Sequence, residues 1–390
     1  MNQSFRKIFK DLDMPLLIIT IVGFTFGLLT IVTASSRAAV VNYDVSIYYY
    51  FFRQLMFIIL GSVLALIILK TNTKSYYFWV PALYILMIVL NIIAWQSEAI
   101  SGSNNWIDLK FIKLQPSELS KPVLIAMLAI LFEKYYRRLR TKNIPHYEMI
   151  GKIMLAALMI PAIVFLQKDL GTLLILLTIV AIMLIASPIL KIEKFKYALL
   201  LIILAVLGLS VYTITGGELL NDARKSRFTS WLDPCGQYET GGYQVCNSYI
   251  AINDGGLMGL GIGKSKQKYS YIPEPHTDSA FAIIAEEYGV IICSFIFLGY
   301  LIMLWRIINI ASKSHSLRGR YMCLGIATYI FAHILINMGG LFGLIPLTGV
   351  PLPFFSYGGS FAISLIAALG IVQRVNIETK NQKIKIKEIN

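Results

Sequence analysis

MPLLIITIVGFTFGLLTIVTA, residues 14–34, contains no charged side chain and has the length of an α-helix that crosses the hydrocarbon core of a bilayer. It is too long for the apolar segment of a secretory leader, although Ala34-Ser35-Ser36 after it looks weakly like a cleavage site. A retained membrane helix is therefore expected. Comparable blocks recur at 49–69, 77–95, 116–133, 150–167, 171–187, 197–215, 279–305, 321–345 and 350–372. The chain reads as an all-α integral membrane protein of about ten transmembrane helices. It forms a single membrane domain, 1–390, with a large loop at 216–278 between the seventh and eighth helices and a basic tail at 373–390.

Composition agrees. Of the 390 residues 57% are hydrophobic and 14% charged, where a soluble domain carries roughly a quarter charged residues. The net charge of +14 would suggest nucleic acid in a soluble protein. Here the basic residues lie in short clusters between apolar blocks, so they set orientation and no nucleic-acid partner is expected. Arg6, Lys7, Lys10, Lys70, Lys74, Lys134, Arg137, Arg138, Arg140, Lys142, Lys191, Lys194, Lys196, Arg306, Lys313, Arg318, Arg320 and the tail lysines fall on one side if the chain crosses ten times. Both termini are then expected in the cytoplasm, and loops 35–48, 96–115, 168–170 and 216–278 on the other face.

The outer set carries the residues least typical of a generic membrane protein. Glu118, Lys121, Glu286 and Glu287 lie inside or at the edge of apolar spans, where an ionisable group is costly unless it is paired or faces water. Glu118 and Lys121 share a helix face, as a buried pair or as part of a substrate cavity. Adjacent Glu286 and Glu287 cannot point the same way from a helix, so at most one is expected to face inward. Arg224, Lys225 and Arg227 sit on the outside against the positive-inside bias and suit phosphate counter-ions. Residues 248–263 read as a short helix followed by a glycine-rich run, a re-entrant or interfacial element. Cys235 and Cys246 share the outer loop and form a disulfide candidate if that compartment is oxidising. Cys293 and Cys323 fall within spans and are expected to pack inertly. No metal-binding framework is evident.

Several segments, taken in order, resemble the SEDS family, the RodA/FtsW/SpoVE proteins of bacterial cell-wall synthesis. They are FFRQ (51–54), WIDL (106–109), LQPSELSK (114–121), KDLGT (168–172), FTSWLDP (228–234), the stretch 242–289 that includes His276-Thr277-Asp278, and GLIPLTGVPLPFFSYGGS (343–360). The 242–289 stretch reads closer to FtsW and SpoVE than to RodA. The resemblance implies an inverting peptidoglycan glycosyltransferase in the bacterial cytoplasmic membrane. It would polymerise lipid II on the outer face, release undecaprenyl diphosphate and work with a class B penicillin-binding protein.

The family's essential aspartate maps onto Asp278, a suitable general base for the acceptor hydroxyl. Arg53, Lys113, Lys121, Arg224, Lys225 and Arg227 are candidate cations for the diphosphate, and Trp106, Glu118, Asp169, His276, Glu286 and Glu287 are further candidates for binding substrate. A divalent cation, magnesium or manganese, near Asp278 would assist, although no motif establishes one. The Ser356–Gly359 turn is expected to be structural or to contact peptide. The chain departs from the family pattern at Asn104-Asn105, where a basic residue is usual, and at Pro275 and Ser279. The rival functions are a lipid II flippase, disfavoured by the lack of paired halves, and a non-catalytic scaffold for the penicillin-binding protein.

Overall fold

The computed structural model describes residues 9–42, 44–99, 102–109, 112–141, 146–189, 191, 193, 194, 196, 231–238, 242–269, 272 and 274–389. The expected seventh span, 197–215, and the basic residues Arg224, Lys225 and Arg227 lie outside the described residues.

The chain is a multi-pass helical membrane protein. Helix α1 (Met14–Arg37) continues through a π-helical turn, Ala38–Asn42, and is followed by α2 (Tyr49–Lys70) and α3 (Tyr76–Trp95). A short antiparallel ribbon pairs β1 (Ile107–Asp108) with β2 (Lys113–Leu114), Ile107 opposite Leu114. Then come α4 (Pro116–Thr141), α5 (His146–Leu166) and α6 (Leu170–Ala186). The last four are α7 (Tyr243–Gly255), α8 (Ala280–Lys313), α9 (Leu317–Leu341) and α10 (Gly359–Ile389). Seven of these described helices are long and apolar enough to cross a membrane, namely α1, α2, α3, α5, α8, α9 and α10. Helices α4, with its charged residues, and α6, with 17 residues, occupy the expected fourth and sixth spans.

Burial separates centre from periphery. In α9 and α10, 83% and 89% of the apolar window is buried, against 22% in both α2 and α8. Helices α9 and α10 therefore form the middle of the bundle, and the outer helices turn apolar side chains such as Phe52, Ile67, Phe295 and Leu301 outward, as lipid contact requires.

One end of the bundle is tied together by charge. Asp13 caps α1, with Oδ1 accepting from the Leu16 amide at 3.1 Å, and it pairs with Arg306 near the end of α8. Arg318 at the start of α9 donates to Glu133 of α4 at 2.8 Å and to Thr73 at 3.0 Å. Thr73 in turn binds Glu378 of α10 through its amide at 2.7 Å. Asp278, at the opposite terminus of α8, belongs to the other end.

Three expected boundaries are corrected. Residues 350–358 do not begin the last helix, because Pro351 and Pro353 cannot supply helical amides and Phe354 takes φ +73°. They form a buried turn instead, closed by the Leu352 amide on Ser356 Oγ at 2.8 Å. Helix α10 starts at Gly359 and carries the expected tail as helix to Ile389. Helix α9 stops at Leu341, short of 345, and α8 runs on to Lys313 but breaks at Gly289, where φ is 76° and ψ 176°.

That break seats the glycine-rich loop. It exposes the Glu286 and Glu287 carbonyls, which accept the Leu260 and Gly261 amides at 2.9 and 3.0 Å. A Cβ on Gly289 would lie 2.4 Å from both the Gly259 nitrogen and the Leu257 oxygen. Leu257, Met258 and Ile262 at the loop tip are exposed, in keeping with an interfacial element. Gly289→Ala is expected to cost about 1–3 kcal/mol from backbone strain alone, with the steric clash in addition. The check is the thermal midpoint of the detergent-solubilised protein, and an unchanged midpoint would contradict this account of the break.

Candidate active site

Asp278 occupies the turn that leads into α8. The turn is closed by the Thr277 amide on the Glu274 carbonyl at 3.1 Å, with Glu274 at φ +46°. Asn337 of α9 fixes the turn from below, its Nδ2 donating to the carbonyls of Asp278 and Val350 at 2.8 Å each. The carboxylate is half-buried. Its Oδ1 accepts from Thr277 Oγ1 at 3.1 Å and from Gln244 Nε2 of α7 at 3.3 Å. Desolvation by the surrounding protein pushes the carboxyl above the usual carboxylate range, and these donors offset part of the rise.

Asp278 stands where two cavities meet, together with Trp106, Gln115, Gly349 and Pro351, which line both. The first, of about 310 Å³, is walled by Asn105, Glu118, Asp169, Trp231 and Gln244. The second, of about 600 Å³, is walled by Tyr49, Tyr50, Arg53, Asp108, Lys113, Glu274, His276 and Tyr357. Their chemistry differs. No lysine or arginine lines the first among the described residues, and two of its buried acceptors, Asn105 Oδ1 and Glu118 Oε2, receive no hydrogen bond from them. The second holds Arg53 and Lys113, with the Arg53 guanidinium over the Tyr49 ring.

The walls are braced from several helices. Asp169 caps α6 through the Thr172 amide at 3.0 Å, and its other oxygen accepts from Asn105 at 2.6 Å and Gln115 at 3.1 Å. Asn105, which stands where a basic residue was expected, thus serves Asp169 with a neutral amide. Behind the first cavity Lys121 pairs with Glu118 at 2.6 Å, fully buried, and reaches His333 Nε2 at 3.0 Å. His333 Nδ1 lies 3.0 Å from the Pro351 carbonyl. That assigns the proton to Nδ1, with Nε2 accepting from the ammonium.

The structure brings together Asp278, Arg53, Trp106, Lys113, Glu118, Asp169 and His276 as lining residues. Lys121 supports Glu118 without lining a cavity itself. His276 packs on Tyr50, ring centres 4.2 Å apart, and its burial pushes the imidazole down to about 4, so it is neutral at ordinary pH.

Glu286 and Glu287 are corrected: both are buried and neither lines the two cavities. Glu286 accepts from Ser265 Oγ and the Lys266 amide at 2.5 and 2.7 Å, and Glu287 pairs with Lys268 at 2.8 Å. They anchor the glycine-rich loop, and both can point inward because that loop wraps the helix break. The Ser356 turn is structural at Ser356, while Tyr357 and Gly358 line the second cavity. Cys235 and Cys246 are joined in a disulfide. Cys293 and Cys323 are free and buried. Among the described residues no group of three His, Cys, Asp or Glu side chains could hold a metal. Gln244, Trp231, Asn337 and His333 were not singled out in the sequence.

A family model described as cell cycle protein, covering FtsW, RodA and SpoVE, matches residues 14–381. The chain is 33% identical to stage V sporulation protein E of Bacillus subtilis (strain 168), over 93% of this chain and 96% of that one. It is 32% identical to the probable peptidoglycan glycosyltransferase FtsW of the same organism, over 98% and 95%. A solved chain from a peptidoglycan synthase complex, described as coordinating polymerization and crosslinking, is similar in fold with a TM-score of 0.70. Its identity is 24%, over 94% of this chain and 98% of that chain.

Proposed function

The chain belongs to the FtsW, RodA and SpoVE family of cell cycle proteins, and from that membership we propose that it is a peptidoglycan glycosyltransferase that joins lipid II units into glycan strands during division or elongation. The observation that carries the reading is Asp278, a half-buried carboxylate at the meeting point of a cavity that holds Arg53 and Lys113 and an acceptor-lined one.

The two cavities suit the two substrates. The diphosphate of the donor fits the chamber with Arg53 and Lys113, where cations meet the charge that develops on the leaving undecaprenyl diphosphate. The acceptor sugar fits the chamber of Glu118, Asn105 and Asp169, whose carboxylate and amide oxygens suit hydroxyl donors. Asp278 removes the proton of the attacking 4-hydroxyl, which displaces the diphosphate at the anomeric carbon. A single displacement inverts that centre. Arg224, Lys225 and Arg227 are proposed as further phosphate contacts. A magnesium or manganese ion is also proposed, held through the substrate's own phosphate oxygens, the usual manner of magnesium in phosphate sites.

Orientation follows from charge and redox chemistry. The lysines and arginines of the short loops favour a cytoplasmic position for both termini, and the disulfide at the Asp278 end suits an oxidising exterior. The proposed partner is a class B penicillin-binding protein, in line with the polymerization and crosslinking described for the similar solved complex.

The test is incubation of the purified protein with labelled lipid II and separation of the products by size. Glycan polymer is expected, and unchanged lipid II would oppose the reading. A pH series adds a second check. The base must be charged, and burial raises its pKa, so the rate should fall with decreasing pH at a point above the ordinary aspartate value of about 4. His276, already neutral, should not contribute that limb. A limb that vanishes in His276→Gln would contradict the assignment.

A further inference from the structure

The disulfide has a place in the architecture that the activity alone does not require. It joins Cys235, in the segment 231–238, to Cys246 in the first turns of α7, with Cα atoms 5.0 Å apart and a sequence separation of 11. Both joined elements reach the first cavity. Trp231 lines it and donates from Nε1 to the Gly343 carbonyl at 2.7 Å. Gln244, two residues before Cys246, donates to Asp278 Oδ1 at 3.3 Å and to Ser279 Oγ at 3.0 Å.

Residues two apart on a helix point to nearly opposite sides. The opening turn of α7 is thus held between the disulfide on one flank and the catalytic carboxylate on the other. That turn has no side-chain cap, since its N-cap is Gly242. A first turn without a side-chain cap depends more on ties to neighbouring segments. Other ties join the same two elements, among them the Gly242 amide on the Gln237 carbonyl at 2.9 Å, the Tyr238 and Tyr243 rings 4.8 Å apart, and a 3.4 Å contact from Asn247 to the Tyr238 hydroxyl.

We propose that the Cys235–Cys246 bond is a positioning element for the catalytic site, clamping the first turn of α7 so that Gln244 stays on Asp278 and Trp231 stays on the cavity wall. The rate of polymerisation then depends on the bond being closed. The inference rests on the glycosyltransferase reading above. Cys235 is exposed and Cys246 buried, so a dithiol reductant attacks at the Cys235 sulfur and expels the Cys246 thiolate, which takes up a proton. The second thiol of the reductant then displaces Cys235 and leaves as the cyclic disulfide, two electrons and two protons having passed to the protein.

The test compares oxidised and dithiothreitol-treated protein in lipid II polymerisation across a pH series, counting accessible thiols with a maleimide. Reduction is expected to lower kcat about two- to tenfold, the weight of one hydrogen bond, with KM less affected. The acidic limb should move to higher pH, because Asp278 loses a donor to its charged form. Reoxidation should restore both. Oxidised Gln244→Ala should show the same shift and little further response to reductant. The other groups facing the two cavities are common to both redox states: Glu118, Asp169, Asp108, Glu274, His276, Arg53, Lys113 and the phenols of Tyr49, Tyr50 and Tyr357.

Two results would overturn the proposal. One is an unchanged rate and limb once two new thiols are titrated. The other is a slower rate with an unmoved limb and a Gln244→Ala variant that remains as reductant-sensitive as the parent, which would make the bond structural only. Oxidised protein that forms no polymer would instead count against the glycosyltransferase reading itself.

Discussion

Asp278→Asn is expected to lower lipid II polymerisation by about 10²–10⁴-fold, the usual contribution of a positioned general base. The amide has the size of the carboxylate and can still accept from Gln244 and Thr277, the two side chains bonded to Oδ1. What it lacks is the ability to take the proton of the attacking hydroxyl. Folding should not suffer, since a neutral amide is cheaper to bury than a carboxylate. The thermal midpoint is therefore expected to stay level or rise while turnover collapses. Near-normal turnover by this variant would remove Asp278 from the role of base.

The second large effect is on stability. Lys121 is fully buried and bonded to Glu118 at 2.6 Å and to His333 at 3.0 Å. Lys121→Met removes the only ammonium on the Glu118 side chain among the described residues and leaves a buried carboxylate unpaired. Breaking a buried pair in this way typically costs about 3–5 kcal/mol. It should appear as a sharp fall in the thermal midpoint or in folded yield. Joint replacement, Glu118→Gln with Lys121→Met, should recover much of the stability because no charge is stranded. Activity should not return with it, since Glu118 lines the first cavity. A single Lys121→Met variant as stable as the parent would contradict the pairing.

The parts of this architecture that the sequence made legible are those set by solvent. Apolar blocks of helix length mark the spans because lipid excludes unsatisfied backbone. Charges inside them, such as Glu118 and Lys121, stand out against that background. The disulfide was readable as two cysteines in one loop, and Asp278 through the resemblance of its neighbourhood.

What stayed hidden depends on contacts between remote segments. Gln244 and His333 are ordinary polar residues in sequence, and their partners lie 34 and 212 positions away. Hydropathy also reads a buried loop as a span. Val350 to Phe355 is apolar because it fills the bundle, yet its prolines keep it from being helix. Glu286 and Glu287 looked like substrate contacts because a continuous helix would leave them stranded. The Gly289 break, invisible to periodicity, gives them a loop to hold.

Polymerisation and transport separate most directly in one reconstitution. The purified protein is placed in vesicles with fluorescent lipid II, alone and with a class B penicillin-binding protein, and both glycan polymer and label crossing the bilayer are followed. The account predicts polymer that depends on Asp278, without Asp278-dependent movement of label between leaflets. Label that crosses the membrane while no polymer forms would contradict it.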